Sequence, residues 1–306
     1  MPNKLHIGYF ADGKWGHEAF HKINADENLS IDFVCVRNDS PDPVLIRYAQ
    51  ENNIDVLHTP NINSDNFIKI LEDYKSDLFV SMSFNQIFRE KIRNLPLLSV
   101  INCHAGKLPY YRGRNILNWA LINDEKEFGI TVHYVDDGID TGDVILQKTY
   151  PITDNDDYGT LLEVAYKGCS ELLYEAIKQI QSGNVRRIEQ ASIDKNGFYC
   201  GMRRAGDEVL DWNQTSREIF NFIRAITCPG PCACSYTENG KVTFIRAELI
   251  SGAPKYKGIP GQVLLKNKDY FLVKTKDSYI KVVEYEGKVR GGDRFKESPV
   301  IYNSGV

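Results

Sequence analysis

An amide, an imidazole and a carboxylate occur in this chain in an order suited to acyl transfer. Asn102 and His104 lie two residues apart at the end of a predicted strand, so their side chains point to the same face. An Asn amide can donate to a developing oxyanion, and a His can donate to the same oxygen or carry a proton near neutral pH. Asp140, in a glycine-rich loop, is placed to orient the imidazole and to take part in the proton transfers.

Each of these features has a structural alternative when it is taken alone. An Asn-x-His pair is commonly a hydrogen-bonded structural pair, and an Asp-rich turn is commonly only a turn. No Ser or Cys nucleophile pattern accompanies Asn102, His104 and Asp140 in the sequence. If the three act together, the pattern predicts direct attack by a nucleophile of the substrate through a tetrahedral intermediate, without a covalent enzyme intermediate.

Short apolar runs alternate with amphipathic segments through the first half of the chain, which predicts a mainly parallel sheet built from strand–helix–strand units. Because ligands on such sheets bind at the carboxyl ends of strands, Asn102 and His104 occupy a suitable position. Helical spacing occurs near residues 16–23, 42–51, 64–73 and 85–95, with Ser64 as a candidate N-cap. The predicted strands are short and rich in β-branched or aromatic residues: Leu5–Phe10, Ile31–Val36, Asp55–His58, Asp77–Met82 and Ser99–Cys103.

The remainder of the chain predicts two further regions. A helix over Asn115–Asn123, a strand pair and a long helix that stops at Gly183 continue the first part; the strand pair is Gly129–Val135 and Asp143–Tyr150, and the helix is Tyr158–Ser182. After Arg186–Arg204, which has no clear period, a helix over Ser216–Ala225 with Ser216 as cap precedes short strands near 242–250, 262–265, 270–275 and 279–285.

The predicted fold class is therefore α/β. A Rossmann-like, mainly parallel sheet with helices on both faces is followed by a small C-terminal, OB-like β-barrel. The predicted boundaries place the catalytic domain at residues 1–185, a linker at 186–206 and the barrel-like domain at 207–306.

The composition, with 42% hydrophobic and 25% charged residues, is ordinary for a globular protein. No apolar run approaches about 18–20 residues and the N-terminus lacks a signal-peptide pattern, so no membrane span or export is expected. Seven cysteines, an odd number, favour reduced thiols and a cytoplasmic location. The net charge of −4 argues against a nucleic-acid partner, although residues 207–306 carry 15 Lys and Arg against 12 Asp and Glu.

Several residue types recur in a fixed order that resembles the formyltransferase family using N10-formyltetrahydrofolate. They are Asn102, His104, Leu108, Pro109, Arg112 and Gly113, then Gly129–His133, then Asp137, Gly138, Asp140 and Gly142. The resemblance is strong over about residues 75–150 and looser elsewhere. It implies that Asn102, His104 and Asp140 are catalytic, that N10-formyltetrahydrofolate is the co-substrate, that no metal takes part and that the enzyme is a homodimer. Ala105 departs from the Pro or Gly of many members.

The same resemblance implies a folate site at two loops, which would hold the pterin largely through main-chain groups. The apolar side chains of these loops also suit simple core positions. The residues concerned are Phe84, Gln86, Ile87 and Phe88 in one loop, and Asp136, Asp137, Gly138 and Ile139 in the other.

The amine acceptor differs among family members, which formylate methionyl-tRNA, a glycinamide nucleotide or a nucleotide-linked amino sugar, or release formate to water. Residues Tyr110–Trp119, Asp211–Asn213 and Ile219–Ala225 are similar to the sugar-nucleotide N-formyltransferases. The predicted acceptor is therefore a nucleotide-linked deoxyamino sugar destined for a polysaccharide. Methionyl-tRNA is the alternative within the family, and a non-catalytic folate- or nucleotide-sugar-binding relative is the alternative from another class. The candidate acceptor residues are Tyr110, Arg112, Gly113, Arg114 and Asn115. The guanidinium groups of the two arginines suit diphosphate oxygens.

Two loops remain open to more than one interpretation. Gly13, Lys14 and Trp15 follow the first strand, where the glycine would let the backbone approach a phosphate, Lys14 would add charge and Trp15 could stack on a sugar. A tight turn with a surface lysine explains them equally well. Cys228, Cys232 and Cys234 are close in sequence, but a structural zinc site needs four ligands, so incidental thiols are expected and no metal is predicted.

Overall fold

The structure is a computed structural model that describes residues 4–298. The extreme ends of the two predicted domains, residues 1–3 and 299–306, lie outside the described residues. The chain divides into two compact units, and each takes segments from several parts of the sequence. The first comprises the described residues of Met1–Gly113, Phe128–Tyr150 and Glu163–Cys200, and the second those of Arg114–Glu127, Pro151–Leu162 and Gly201–Val306.

The first unit is built on a mixed sheet. Among the described residues the strand order is β3-β2-β1-β4-β5-β7-β8, and β1 to β5 pair in parallel whereas β7 runs antiparallel to β5. The strands are β1 Leu5–Ala11, β2 Leu29–Cys35, β3 Asp55–Leu57, β4 Leu78–Met82, β5 Val100–His104, β7 Glu127–Tyr134 and β8 Val144–Pro151. The predicted α/β class with a mainly parallel, Rossmann-like sheet is confirmed.

Helices α1 Gly13–Asn24, α2 Pro43–Glu51, α3 Asp65–Tyr74, α4 Glu90–Arg93 and α6 Tyr158–Gln181 connect or follow these strands. Ser64 caps α3 as predicted, since its hydroxyl accepts from the N–H of Phe67. Asp42 caps α2 in the same way, and Pro43 occupies the first helical position, where a missing N–H costs nothing. The helix predicted over 85–95 is only α4, because the residues before it form a loop.

Aromatic side chains fill the core beneath β1, β2 and β4. The ring of Phe10 lies edge-on to those of Phe33, Phe79, Phe84 and Phe88, with centroids 4.9–5.5 Å apart. Edge-on packing suits the aromatic quadrupole, and each buried ring removes a large apolar area from water. This core fixes the carboxyl ends of the parallel strands.

The second unit is a half-barrel of antiparallel strands with helix α5, Ile116–Ile122, and helix α8, Ser216–Ile226. The C-terminal β architecture is thus confirmed, although β10 is a strand that the sequence pattern did not predict. The cap of α8 is Thr215 rather than Ser216: Thr215 and Glu218 form a reciprocal capping box. The strands, in the order β10-β11-β14-β13-β12, are β10 Ala233–Thr237, β11 Gly240–Glu248, β12 Val263–Lys266, β13 Phe271–Lys274 and β14 Tyr279–Glu286.

Residues 186–200, assigned to a linker on sequence grounds, belong to the first unit. They contain α7 Gln190–Ile193 and the short strand β9 Tyr199–Cys200, which pairs in parallel with β6 Arg112–Gly113. We call residues 186–200 the strap. Within residues 4–298, no helix has the length and apolar character needed to cross a membrane.

Candidate active site

Strand β5 carries Asn102 and His104 to the carboxyl edge of the sheet. In the register with β7, Asn102 lies opposite His133 and His104 lies opposite Thr131. The intervening Cys103 is directed toward α6, where its Sγ lies 3.6 Å from a main-chain carbonyl oxygen. The alternation therefore places the amide and the imidazole on one face of the strand, as the spacing predicts.

The imidazole of His104 is held at one nitrogen and faces the carboxylate with the other. Nε2 lies 2.7 Å from the carbonyl oxygen of Tyr111. A carbonyl oxygen only accepts, so Nε2 carries a proton, and Nδ1 faces Asp140 Oδ2 at 3.6 Å. Gly106 lies against the ring, because a Cβ at that position would come within 2.4 Å of Nε2. Only a glycine there leaves the imidazole in place.

Asp140 lies in its loop with a φ of 56°, in the left-handed region that non-glycine residues seldom adopt. Its Oδ2 accepts from the N–H of Gly113 at 2.9 Å, and its Oδ1 lies 3.5 Å from Nε2 of His133. Burial raises the pKa of Asp140, but His104, His133 and the Gly113 N–H outweigh burial and hold that pKa well below the ordinary carboxyl value. Asp140 is therefore a carboxylate at neutral pH.

His133 also lies at the candidate site. It belongs to the Gly129–His133 motif, but no role was predicted for it from the sequence. Its Nδ1 lies 2.8 Å from the carbonyl oxygen of Tyr134, so Nδ1 carries the proton. Nε2 lies 3.2 Å from Nδ2 of Asn102 and 3.5 Å from Oδ1 of Asp140, so it accepts from the amide in the neutral ring and presents its proton to the carboxylate in the protonated ring. The hydrogen bond from Asn102 fixes the direction of the amide and leaves its second N–H available. The sequence signal for His133 was its place in the Gly129–His133 part of the family motif.

Two glycines shape the loop before and after Asp140. A Cβ on Gly142 would lie 1.9 Å from the carbonyl oxygen of Tyr134, and one on Gly138 would lie 2.0 Å from Oγ1 of Thr141. Neither position has room for a side chain unless backbone or packed atoms move. The Asp-Gly pattern in the sequence therefore reflects close packing of this loop.

In the predicted folate loops, the polar side chains make hydrogen bonds or an ion pair within the protein, and the apolar side chains range from buried to exposed. Gln86 is tied to the main chain, since it accepts from Ile62 N–H and donates to the carbonyl oxygen of Thr59. Asp136 accepts from Gly138 N–H and from the Thr141 hydroxyl, and Asp137 pairs with Arg93. Phe88 is buried, Phe84 is half-buried, and Ile87 and Ile139 are 63% and 54% exposed.

These contacts fit a ligand held by main-chain groups. The polar side chains of both loops are occupied within the protein, whereas Ile87 and Ile139 offer apolar surface to a planar ring. The assignment of these loops to folate stays a prediction.

Among the predicted acceptor residues, Tyr110, Arg112 and Gly113 belong to the first unit with the catalytic candidates. The Tyr110 hydroxyl donates to Asp194 at 2.6 Å. Arg112 donates to Gln190 of the strap, and Gly113 donates to Asp140. Gln190 was missed by sequence reasoning because no local pattern marks it.

Arg114 and Asn115 belong to the second unit and contact residues 201–204. Asn115, with a φ of 56°, accepts from Arg203 N–H, and Arg114 lies 3.7 Å from the sulfur of Met202. The guanidinium of Arg203 lies over the ring of Trp119. Two arginines and an indole thus occur together beside α5.

The remaining predicted positions have other neighbours. Gly13 has a φ of 62° and begins α1, Lys14 lies over Tyr166, and Trp15 packs edge-on to the same ring. The structure therefore groups Lys14 and Trp15 with α6. Their role in binding a phosphate or a sugar stays a prediction.

The cysteine-rich loop holds two neighbouring thiols, with Cys228 Sγ 3.9 Å from Cys232 Sγ, while Cys234 is buried in β10. No group of three or more His, Cys, Asp or Glu side chains between residues 4 and 298 is arranged to hold a metal ion.

Comparison with known proteins identifies the family. Residues 9–177 match the family described as formyl transferase, and residues 204–293 match the formyl transferase C-terminal domain. A methionyl-tRNA formyltransferase of Thermodesulfovibrio yellowstonii is 31% identical over 80% of this chain and 78% of its own length. One of Azobacteroides pseudotrichonymphae is 35% identical over the same shares of the two chains.

Solved structures share the fold at lower identity. WlaRD, a sugar 3N-formyltransferase, aligns with a TM-score of 0.68 and 23% identity over 94% of this chain and all of its own. An N-formyltransferase from Helicobacter canadensis aligns with a TM-score of 0.66 and 21% identity over 93% of this chain and all of its own. One family model covers residues 9–177 and the other covers residues 204–293, and together with the relatives they confirm the predicted enzyme class: the chain is a formyltransferase and belongs to the formyl transferase family.

Proposed function

We propose that the protein transfers a formyl group from N10-formyltetrahydrofolate to the amino group of a nucleotide-linked deoxyamino sugar. The observation that carries the proposal is the cluster of Asn102, His104 and Asp140 in a member of the formyl transferase family. The amide, the imidazole and the carboxylate meet at the carboxyl edge of the sheet, within 3.6 Å for the imidazole–carboxylate pair. These are the groups that a tetrahedral intermediate requires.

The formyl donor is supported by the loops and by the relatives. The WlaRD structure contains 5-N-formyl-THF, and that of the Helicobacter canadensis enzyme contains folinic acid. In this chain the two candidate loops leave main-chain groups and the exposed Ile87 and Ile139 for such a ring.

Asn102 stabilises the negative charge that develops on the formyl oxygen. One N–H of its amide is committed to His133, so the second N–H points in a fixed direction toward the reacting oxygen. A donor that is already oriented costs little reorganisation when charge develops, which is the main source of oxyanion stabilisation. His104 supplies a second donor when its Nδ1 is protonated.

Asp140 takes part in the proton transfers of the reaction. As a carboxylate 3.6 Å from Nδ1 of His104, it stabilises the ring when Nδ1 takes up the proton that the attacking amine loses. The amine attacks the formyl carbon, the tetrahedral intermediate collapses, and the folate nitrogen leaves with the proton that His104 returns to it. No side chain of the enzyme forms a covalent bond with the formyl group in this reaction.

The sugar-nucleotide acceptor is supported by the segment beside α5. Trp119 donates from its indole N–H to the carbonyl oxygen of Gly201 at 2.9 Å, and Arg203 lies 5.2 Å from the ring of Phe222. Burial lowers the pKa of Arg203, whose guanidinium still bears its charge at neutral pH. Arg114 and Arg203 offer cationic groups for a diphosphate, and the aromatic rings suit a base or sugar. The two solved relatives bind dTDP and dTDP-3-aminofucose, respectively.

Methionyl-tRNA is the second candidate acceptor, because the relatives at 31–35% identity carry that name. A tRNA ligand would require many phosphate contacts from a basic surface, whereas this chain has a net charge of −4. A non-catalytic binding protein would have no need for the intact set of Asn102, His104 and Asp140.

The test is an assay of purified protein with N10-formyltetrahydrofolate and a panel of UDP-, dTDP- and GDP-linked amino sugars. Tetrahydrofolate release and product mass are recorded, with charged initiator tRNA in a parallel reaction. A gain of one formyl group on a sugar nucleotide supports the proposal and names the substrate. Formylation of the tRNA alone would replace the sugar by the second candidate.

A further inference from the structure

Gln190, the first residue of α7 in the strap, is a buried amide whose polar atoms all have partners beside Asp140. Only 2% of its surface is exposed. Its Nε2 donates to the carbonyl oxygens of Asp140 at 2.9 Å and Gly142 at 2.8 Å. Its Oε1 accepts from Nε and Nη2 of Arg112 at 3.1 and 2.8 Å. A fully satisfied buried amide is fixed in orientation, and so are its partners.

These contacts close a ring around Asp140. The N–H of Gly113 holds the carboxylate from one side. Gln190 holds the carbonyl group of Asp140 from the other side, and Arg112 joins Gln190 to Gly113 through the chain. Asp140 has a φ of 56°, which Asp adopts more readily than most non-glycine residues, and this ring holds it in that conformation.

The strap that carries Gln190 is itself attached at both ends. Ile188 exchanges two main-chain hydrogen bonds with Val144, of 2.8 and 2.9 Å. At the other end, β9 pairs with β6, and Gly197 has no room for a side chain beside the Arg112 guanidinium. Gln190 is therefore held over the loop by anchors on either side of it.

The amide also gives Arg112 a neutral partner. An amide oxygen satisfies two guanidinium N–H groups without neutralising the positive charge, whereas a carboxylate would neutralise it. The ring of Tyr199 lies 5.4 Å from the same guanidinium and leaves the charge uncancelled. Arg112 thus keeps its charge for an anionic ligand.

We propose that Gln190 is a positioning residue: it holds the Asp140 carboxylate in its reactive orientation while leaving the charge of Arg112 uncompensated. The inference rests on the proposed function, since it assigns Asp140 a part in the chemistry.

Two substitutions separate the two roles. Gln190→Met keeps the length of the side chain and removes every hydrogen bond, so we expect kcat to fall by about 10- to 100-fold, as for a misplaced catalytic group, with KM for the folate nearly unchanged. Gln190→Glu keeps the partner of Arg112 but turns a carboxylate toward two carbonyl oxygens. We expect the same fall in kcat together with a rise in KM for the nucleotide sugar.

The matched control is Gln181→Met at a half-buried position on α6, which removes a donated hydrogen bond to the carbonyl oxygen of Asn28 and one accepted from Lys178. Its kinetics are expected to equal those of the wild type. Thermal unfolding of all three variants shows whether a loss of kcat follows a loss of folded protein.

A second measurement does not depend on turnover. Hydrogen exchange in peptides covering residues 110–115 reports the Gly113 N–H, whose acceptor is the Asp140 carboxylate. Faster exchange there in Gln190→Met, with the rest of the protein unchanged, supports the positioning role even if the wild type formylates none of the acceptors. Wild-type kcat with unchanged exchange would overturn it, and so would faster exchange throughout the protein, which would indicate a general structural role.

Discussion

Two glycine-containing segments follow strands of the first unit, and their glycines differ in how closely other atoms pack against them. In residues 136–142, the Asp140 carboxylate and carbonyl groups both accept hydrogen bonds, and the glycines lie against other atoms. In residues 12–14, where α1 begins, a Cβ on Gly13 would meet nothing within 4 Å, and Lys14 makes an exposed ion pair of 3.9 Å with Glu163. A glycine packed against its surroundings marks a preorganised loop, whereas a glycine in open space marks only a turn.

The largest expected effect is that of Asp140→Asn. Asn tolerates the left-handed conformation, so the substitution removes the charge without straining the backbone. We expect kcat to fall by about 10²- to 10⁴-fold in a variant that still folds, and thermal unfolding at a lower temperature, because the depressed pKa means that the carboxylate stabilises the native state. The matched control is Asp154→Asn, which removes an exposed carboxylate that pairs with Arg217. Wild-type turnover in Asp140→Asn would rule out the assigned mechanism.

Gly142→Ala tests the close packing of the same loop. The new Cβ would overlap the Tyr134 carbonyl oxygen, so we expect a loss of about 1–3 kcal/mol in the free energy of unfolding and a lower kcat. Urea unfolding and steady-state kinetics measure the two quantities. Gly291→Ala, in open space, should change the unfolding free energy by less than about 0.5 kcal/mol. Equal effects of the two substitutions would remove the distinction between packed and open glycines.

The pH dependence of kcat tests what holds Asp140 ionised. The folded-state pKa of Asp140 is depressed, so its stabilising interactions are present above the unfolded value of about 3.9 and are lost as pH falls through the folded pKa. His133→Ala removes one of the groups that favour the ionised carboxyl and keeps His104 and the Gly113 N–H beside it. We expect its pKa to rise and the acid limb of kcat to move to higher pH. An unmoved limb would show that His133 does not act on Asp140.

The smallest expected effect is that of Lys14→Ala on stability. An exposed pair at 3.9 Å contributes little, so the free energy of unfolding should change by less than about 0.5 kcal/mol. Urea unfolding at low and high salt measures it. A larger, salt-dependent loss would indicate that residues 12–14 are held as firmly as residues 136–142.

The sequence was most informative where local spacing determines geometry. Period-2 alternation places Asn102 and His104 on one face because β5 is flanked by paired strands on both sides. Strand β10 was missed because its run of Ala, Cys and Ser resembles a loop, although pairing with β11 buries it. The cap of α8 was displaced by one residue, since Thr215 and Ser216 are chemically equivalent candidates.

Gln190 could not have been predicted from spacing. Its contacts depend on the strap folding back against β6, about 80 residues earlier in the chain, and no periodicity encodes that return. His133 is an intermediate case: its strand was predicted, but its register opposite Asn102 and its two hydrogen bonds were not.

Helix α5 has a consequence for the modular character of the protein. It lies in the sequence between parts of the first unit, yet Asn118, only 4% exposed, donates to the carbonyl oxygen of Ala225 in α8, and Asp124 pairs with Arg217. A chain truncated after Cys200 would keep α5, strip it of its covering helix and expose an apolar surface prone to aggregation. Exchange of the half-barrel between relatives would break the same contacts. A recombination point between the two family segments would therefore break the contacts of α5 with α8. We expect the two segments to be inherited together.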